Sequence, residues 1–284
     1  MSVAYEQQEP RVAVRAPTPY RGHFRTVIVI GEIAVAVETR DAAFLRLLEE
    51  RYAGFIEPVD DPDYEFVIDL TPPTDISADD DVRVYRTGSL WRIERGDFRA
   101  EWDPGKRRGC IRQSPNPYSI DAVLRIVHSL VLAGERGCLM HAASAVRNGK
   151  AFIFAGVSGA GKTTISRLAP PDAFLLTDEI SYVRKEAAGY FGYGTPFAGE
   201  LAKSGENLKA PLAGVYLLAQ GPENRIDPIS ASEAVRGILA NTLFFAEDAE
   251  LVQTVFHSAH EFVEQVPVRR LTFMPDNRVW ELIQ

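Results

Sequence analysis

The stretch Ala151-Phe152-Ile153-Phe154-Ala155-Gly156-Val157-Ser158-Gly159-Ala160-Gly161-Lys162-Thr163 decides how this chain is read. Five β-prone apolar residues run into a glycine-rich octapeptide that fits G-x-x-x-x-G-K-[ST] in full. Behind it, Thr163 to Leu168 can form a short helix that Pro170-Pro171 stops. Strand, loop and helix in that order read as a phosphate loop. Its glycines let backbone N–H groups converge on phosphate oxygens, and the start of the helix adds partial positive charge. The expected nucleotide site comprises Gly156, Val157, Ser158, Gly159, Ala160, Gly161, Lys162, Thr163 and Thr164. Lys162, exposed to the ligand, is expected to neutralise β/γ charge, and the Thr163 hydroxyl to ligate Mg2+. ATP and Mg2+ are therefore the expected ligand and cofactor.

Upstream, Val146 and Ala151 flank Arg147-Asn148-Gly149-Lys150, and Asn-Gly is the strongest two-residue hairpin signal. Counting outward from that turn pairs Val146 with Ala151 and brings His141 opposite Gly156. A lone histidine is usually structural, and His23, His128, His257 and His260 are read that way. His257 and His260 sit three apart on a helical stretch without a third ligand. His141 is read as functional, because its register puts it at the phosphates.

Downstream, Phe174-Leu175-Leu176-Thr177-Asp178-Glu179 is a short apolar strand that ends in two acids, 16 residues after Lys162. One carboxylate can hold the metal or its water, and the other can take a proton from an attacking hydroxyl. Adjacent residues of an extended strand point to opposite faces, so the two acids are expected to differ in role.

The surrounding chain reads as three parts. Residues 1–20 are polar and proline-dotted, a flexible arm. Residues 21–115 are expected to form a small β-rich α+β domain. It holds a strand pair in Val27 to Thr39 around Gly31, and one helix, Asp41 to Tyr52. Its further strands are Tyr64 to Leu70, Val82 to Tyr85, Leu90 to Glu94 and Phe98 to Trp102. Residues 116–284 form the nucleotide-binding domain, led by an apolar helix from Tyr118 to Gly134. Ala213 to Ala219 and Arg225 to Ile229 read as a strand pair. Ser230-Ala231-Ser232-Glu233 is a capping box opening a helix towards Phe245, followed by a helix over Glu250 to Glu264 and a closing strand, Val268 to Phe273. Helices and strands alternate but several connections are short hairpins, so the expected class is α/β with a mixed sheet.

Bulk properties narrow the partners. A formal net charge of −8 argues against broad affinity for nucleic acid or anionic membranes. Part of that acidity sits in Asp60-Asp61-Pro62-Asp63 and Asp79-Asp80-Asp81, read as solvated loops. No window holds 18 consecutive apolar residues, and no secretory signal is expected. Cys110 and Cys138 have no metal-ligand spacing; a cytoplasmic protein with reduced thiols is the expectation.

Taken together, Met140-His141, the loop GVSGAGKT and Leu176-Thr177-Asp178-Glu179 resemble the catalytic domain of HPr kinase/phosphorylase over roughly residues 136–273. That bacterial enzyme phosphorylates a serine of the phosphocarrier protein HPr, and its fold is related to phosphoenolpyruvate carboxykinase. The resemblance implies that Asp178 is the base on the acceptor hydroxyl and that His141 lies near the transferring phosphate. It gives Lys162 and Thr163 the usual phosphate and metal roles. Glu179, where the family usually has a second aspartate, would assist the metal, as would Glu200 after Gly194-Thr195-Pro196-Phe197. The family's glycine- and arginine-rich segment and its N-terminal region have no counterpart here, so HPr contacts and phosphorolysis are not implied. The expected activity is an ATP- and Mg-dependent transfer of the γ-phosphoryl group to a serine of a protein or peptide. The rival reading is a nucleotide-dependent switch or ATPase, with Asp178 on magnesium and Glu179 polarising water. It leaves His141 without a task. Acceptor, ATP versus GTP, and homo-oligomerisation stay open.

Overall fold

Strand pairing begins at Gly31-Glu32, where both residues are left-handed (φ 59° and 62°), the mirror-image turn that matches the twist of paired strands. It joins β1 (Phe24–Ile30) to β2 (Ile33–Thr39). The computed structural model describes residues 22–72, 81–199, 201 and 205–284. The N-terminal arm, Asp79-Asp80 and Glu200 lie outside the described residues. After β2 comes α1 (Ala42–Arg51), whose N-cap Asp41 accepts from the N–H groups of Ala43 and Phe44 at 2.8 and 2.9 Å. β3 (Tyr64–Leu70), β4 (Arg83–Thr87), β5 (Leu90–Arg95), β6 (Phe98–Asp103) and β7 (Arg108–Gln113) complete a seven-stranded sheet ordered β1-β2-β3-β7-β6-β5-β4. β3 runs parallel to both β2 and β7; the other pairs are antiparallel.

α2 (Pro117–Gly134) starts with Pro117 behind the N-cap Asn116, which accepts from the Tyr118 N–H at 3.0 Å. Its residues are buried on nearly every side, including Ile120, Val123, Leu124, Val127 and Leu130. A helix apolar all round belongs inside a core. Here one core joins the first sheet, α2, and residues such as Leu139, Ile180 and Tyr182 from the second half.

The second half continues with β8 (Cys138–Arg147), β9 (Lys150–Ala155), α3 (Lys162–Arg167), β10 (Ala173–Thr177), β11 (Ile180–Glu186) and β12 (Gly189–Tyr193). β13 (Lys209–Gln220), β14 (Arg225–Pro228), α4 (Ala231–Asn241), α5 (Ala249–Gln265) and β15 (Val268–Phe273) follow. β9 lies between antiparallel β8 and parallel β13, and β13 also pairs with β15 in parallel. β8 pairs with β11, β11 with β12 and β12 with the start of β13, so these pairings close a ring through β9. The fold is mixed α/β with a mixed sheet in each half. No helix among the described residues is long and apolar enough to cross a membrane.

Several local expectations change. β13 and β14 both form but do not pair with each other; β15 inserts between them, parallel to one and antiparallel to the other. Proximity in sequence suggested a hairpin, whereas the final strand supplies the longer ladder. α4 ends at Asn241, not Phe245, because the chain then straightens to bridge both halves. Thr242 pairs with Met140, and Ala246 with Val84. At its other end Ser230 accepts from the Glu233 N–H at 3.3 Å, but the Glu233 carboxylate turns to Arg270, so only half of the capping box forms. β7, β11 and β12 carry no sequence signal strong enough to have been anticipated.

Candidate functional site

The hairpin that carries the site forms as its turn dictates. Asn148 (φ 51°) and Gly149 (φ 73°) are both left-handed, and the ladder runs from Arg147–Lys150 through Val146–Ala151 to Ala142–Ala155. β9 thus ends one residue before Gly156, and the loop 156–161 turns into α3 at Lys162. The tip is open: Val157 is 79% exposed, with Ser158 and Gly159 also exposed, while Ala160 is buried. Gly161 cannot be replaced cheaply. Its φ is 111°, and a Cβ there would lie 2.6 Å from Cζ of Phe273 on β15. Beneath the loop, the Trp280 indole N–H donates to the Ile165 carbonyl at 3.1 Å and ties α3 to the C-terminal turn Asn277–Leu282.

Lys162 differs from expectation. It is buried, and its ammonium donates to the carbonyls of Gly156 at 2.9 Å and Val157 at 3.4 Å. A buried ammonium must have acceptors, and the loop's own carbonyls supply them. Thr163 and Thr164 are half-buried at the start of α3.

The acids sit one strand further across. β10 and β11 both run antiparallel to β8, with a break at Asp178-Glu179. Thr177, buried, makes the break: its hydroxyl oxygen accepts from the N–H groups of Glu179 at 3.2 Å and Ile180 at 3.1 Å. The local turn overrides the alternation of a regular strand. The two carboxylates therefore do not face opposite ways; both converge on Gly199. A Cβ at Gly199 would meet Glu179 Oε2 at 2.7 Å and Asp178 Oδ2 at 3.1 Å. Asp178 is buried, and its oxygens accept from the backbone N–H groups of Gly199 at 2.9 Å and Leu201 at 2.8 Å. Glu179 is more open, and its Oε1 lies 3.7 Å from Nδ1 of His141, with both side chains partly exposed.

Strand register links these groups to the loop. Ala142 pairs with Ala155 on one side and donates its N–H to the Glu179 carbonyl at 3.0 Å on the other. With neighbouring strands ~4.8 Å apart, the backbone of the acid pair lies roughly 10 Å from the base of the loop. That distance suits side chains reaching towards a common phosphate chain. His141 leaves the hairpin ladder and pairs with Ile180 instead, beside the acids.

Residues absent from the sequence reading also line this corner. Gly199 and Leu201 hold Asp178. Phe197, fully buried, carries the Arg125 guanidinium 5.0 Å over its ring. Gln220, at the end of β13, donates to the Gly159 carbonyl at 2.6 Å. A cation in the middle of the apolar run of α2 was the one available signal for Arg125; the others depend on long-range folding. Among the described residues no group of three or more His, Cys, Asp or Glu side chains could hold a metal ion.

Comparison with known proteins corrects one expectation. No curated protein matches the chain. The three short motifs that suggested HPr kinase/phosphorylase are a likeness of local pattern, and membership of that family does not stand, because the family model that fits these residues is a different one. It is that of the SynChlorMet cassette protein ScmC, which matches residues 116–284, the phosphate loop, His141 and both acids included, and the chain belongs to the ScmC family.

Proposed function

We propose that the chain is an ATP- and Mg2+-dependent kinase that transfers the γ-phosphoryl group to a hydroxyl, with a serine of a protein or peptide as acceptor. The observation that carries this reading is the three-strand register in which Ala142 joins the strand of the phosphate loop to the acid pair. A phosphate cradle, two carboxylates and a histidine on adjacent strands are what phosphoryl transfer to a hydroxyl requires. The antiparallel neighbour β8 on one side of β9 and the parallel neighbour β13 on the other support a phosphoenolpyruvate carboxykinase-like type of phosphate-loop domain.

In this reading the loop amides and Lys162 hold the phosphates, with the ammonium exchanging the Gly156 and Val157 carbonyls for phosphate oxygens. Thr163 and one acid hold Mg2+, which when bound neutralises phosphate charge; such a site draws most of its ligands from phosphates and water. Asp178, clasped by two amides, suits the fixed metal-facing role. Glu179, more exposed and 3.7 Å from His141, suits proton acceptance from the hydroxyl, and the exposures favour this exchange of the roles first expected from the sequence. His141 adds electrostatic stabilisation as charge develops.

Incubation with ATP labelled in its γ-phosphate and a cell lysate, followed by mapping of the labelled residue, tests the proposal. Label appearing only as inorganic phosphate, with none on protein, would replace it with the switch or ATPase reading.

A further inference from the structure

Among the aliphatic side chains that α2 buries stands one guanidinium, Arg125, itself half-buried. A cation in such a position normally pairs or extends its head into water. Its neighbour one turn back, Asp121, is already taken. Arg51 donates through Nε at 3.0 Å and through a terminal nitrogen, and the Tyr52 hydroxyl donates as well. The Arg125 Nε is buried and has no hydrogen-bond partner. Burial pushes the basicity of the guanidinium down, while the charges of Asp121 and Glu179 oppose that loss. Its flat face rests 5.0 Å over the ring of Phe197, two residues before the Gly199 amide that holds Asp178. Arg125 is thus a half-buried cation with an unused Nε donor, backed against the segment that clasps the acid pair.

Two adjacent carboxylates repel an arriving phosphate chain. Lys162 answers that repulsion from the loop side, where its ammonium donates to the Gly156 and Val157 carbonyls. On the acid side His141 is charged only when protonated, whereas Arg125, which feels the Glu179 charge, is a permanent cation. We propose that Arg125 is an anion-binding residue of this site, whose guanidinium contacts the phosphoryl group in transit between nucleotide and acceptor. The planar fork of donors suits phosphoryl oxygens, and the contact would add hydrogen bonds to a half-buried cation. This rests on the phosphoryl-transfer reading above, but it concerns a residue outside the phosphate loop and can fail separately.

The test uses the full chain and measures binding, so that no acceptor is needed. Affinities for Mg·ADP alone and for Mg·ADP with aluminium fluoride, a mimic of the transferring group, are compared in wild type, Arg125→Gln and Arg125→Lys. The expected result is Mg·ADP affinity within about twofold of wild type in both variants. The fluoride complex should weaken by ~10-fold or more in Arg125→Gln, as loss of a charge-assisted contact requires, and by less in Arg125→Lys. Guanidinium ion added at low concentration should restore part of the fluoride affinity to Arg125→Ala, which a merely structural role would not allow. Unchanged fluoride affinity in Arg125→Gln overturns the proposal while leaving the kinase reading intact. Equal loss of both ligands together with a lowered melting temperature assigns Arg125 to the core and also overturns it. A wild-type chain that fails to bind Mg·ADP overturns both readings, the phosphate loop first.

Discussion

His128 offers a quantitative test of how the two halves are joined. It is fully buried on α2, its Nδ1 lies 3.0 Å from the Tyr182 hydroxyl, and the rings meet edge to face at 5.5 Å. Nε2 has no partner, and burial, with the Arg184 charge adding to it, pushes the imidazole down to about 3. In the unfolded chain the group titrates near its ordinary ~6.5. The folded value is the lower one, so as pH falls the unfolded state takes up the proton first. Stability from this residue is therefore complete above pH ~6.5 and is lost progressively towards pH ~3. Each pH unit in that window costs ~1.4 kcal/mol, so ~2.5 kcal/mol goes between pH 6.5 and 4.5. The comparison is His128→Gln, which keeps a polar partner for Tyr182 but does not titrate. Urea unfolding of both proteins at pH 7.5, 6.5, 5.5 and 4.5 isolates the histidine from every other acid-sensitive group. The gap between them should change in favour of the glutamine variant by that amount as pH falls. Parallel profiles would refute the reasoning, because they would mean that the histidine is hydrated or moves out to water when protonated.

Other expectations are more local. Lys162→Ala should abolish Mg·ATP binding and phosphoryl transfer while the melting temperature stays within a few degrees, since its bonds are to loop carbonyls; normal turnover by the folded variant would sink the phosphate-loop assignment. Steady-state kinetics of Asp178→Asn and Glu179→Gln should separate the acids. The variant lacking the base loses ~10²–10⁴-fold in kcat with little change in nucleotide affinity, and we expect that variant to be Glu179→Gln. His141→Ala should lower kcat/KM by ~10²-fold with stability nearly unchanged; a badly destabilised protein with normal turnover per folded molecule would instead mark a core histidine. Gly199→Ala would put a Cβ 2.7 Å from Glu179 Oε2 and 2.8 Å from Glu179 Cβ, and the backbone must then shift off the acids. A loss of ~1–3 kcal/mol in urea unfolding is expected, and an unperturbed variant would contradict the close approach of Gly199 to the acid pair.

The sequence by itself determined what depends on short-range chemistry. Asn148-Gly149 needs two left-handed residues in a row and so set the β8–β9 register, which the ladder follows residue by residue as far as Ala142–Ala155. The apolar periodicity of α2 and the Asp41 cap were likewise readable, because a helix start and a buried face are properties of a few neighbouring side chains. Even so, α2 reads as buried without saying against what; only folding makes it the shared core of both halves. Likewise the three motifs suggested a family that the comparison over residues 116–284 corrected, since a few short patterns sample far fewer positions than a whole family model does. Tertiary structure alone decided the disposition of the acids. The Thr177 hydroxyl bends the chain and Gly199 arrives from a distant segment, so two residues that an ideal strand would separate now converge. It also decided the state of Lys162 and Arg125. Whether a cation is exposed, satisfied by carbonyls or left with an unused donor depends on which backbone from elsewhere in the chain closes over it. Spacing in the sequence carries no information about that.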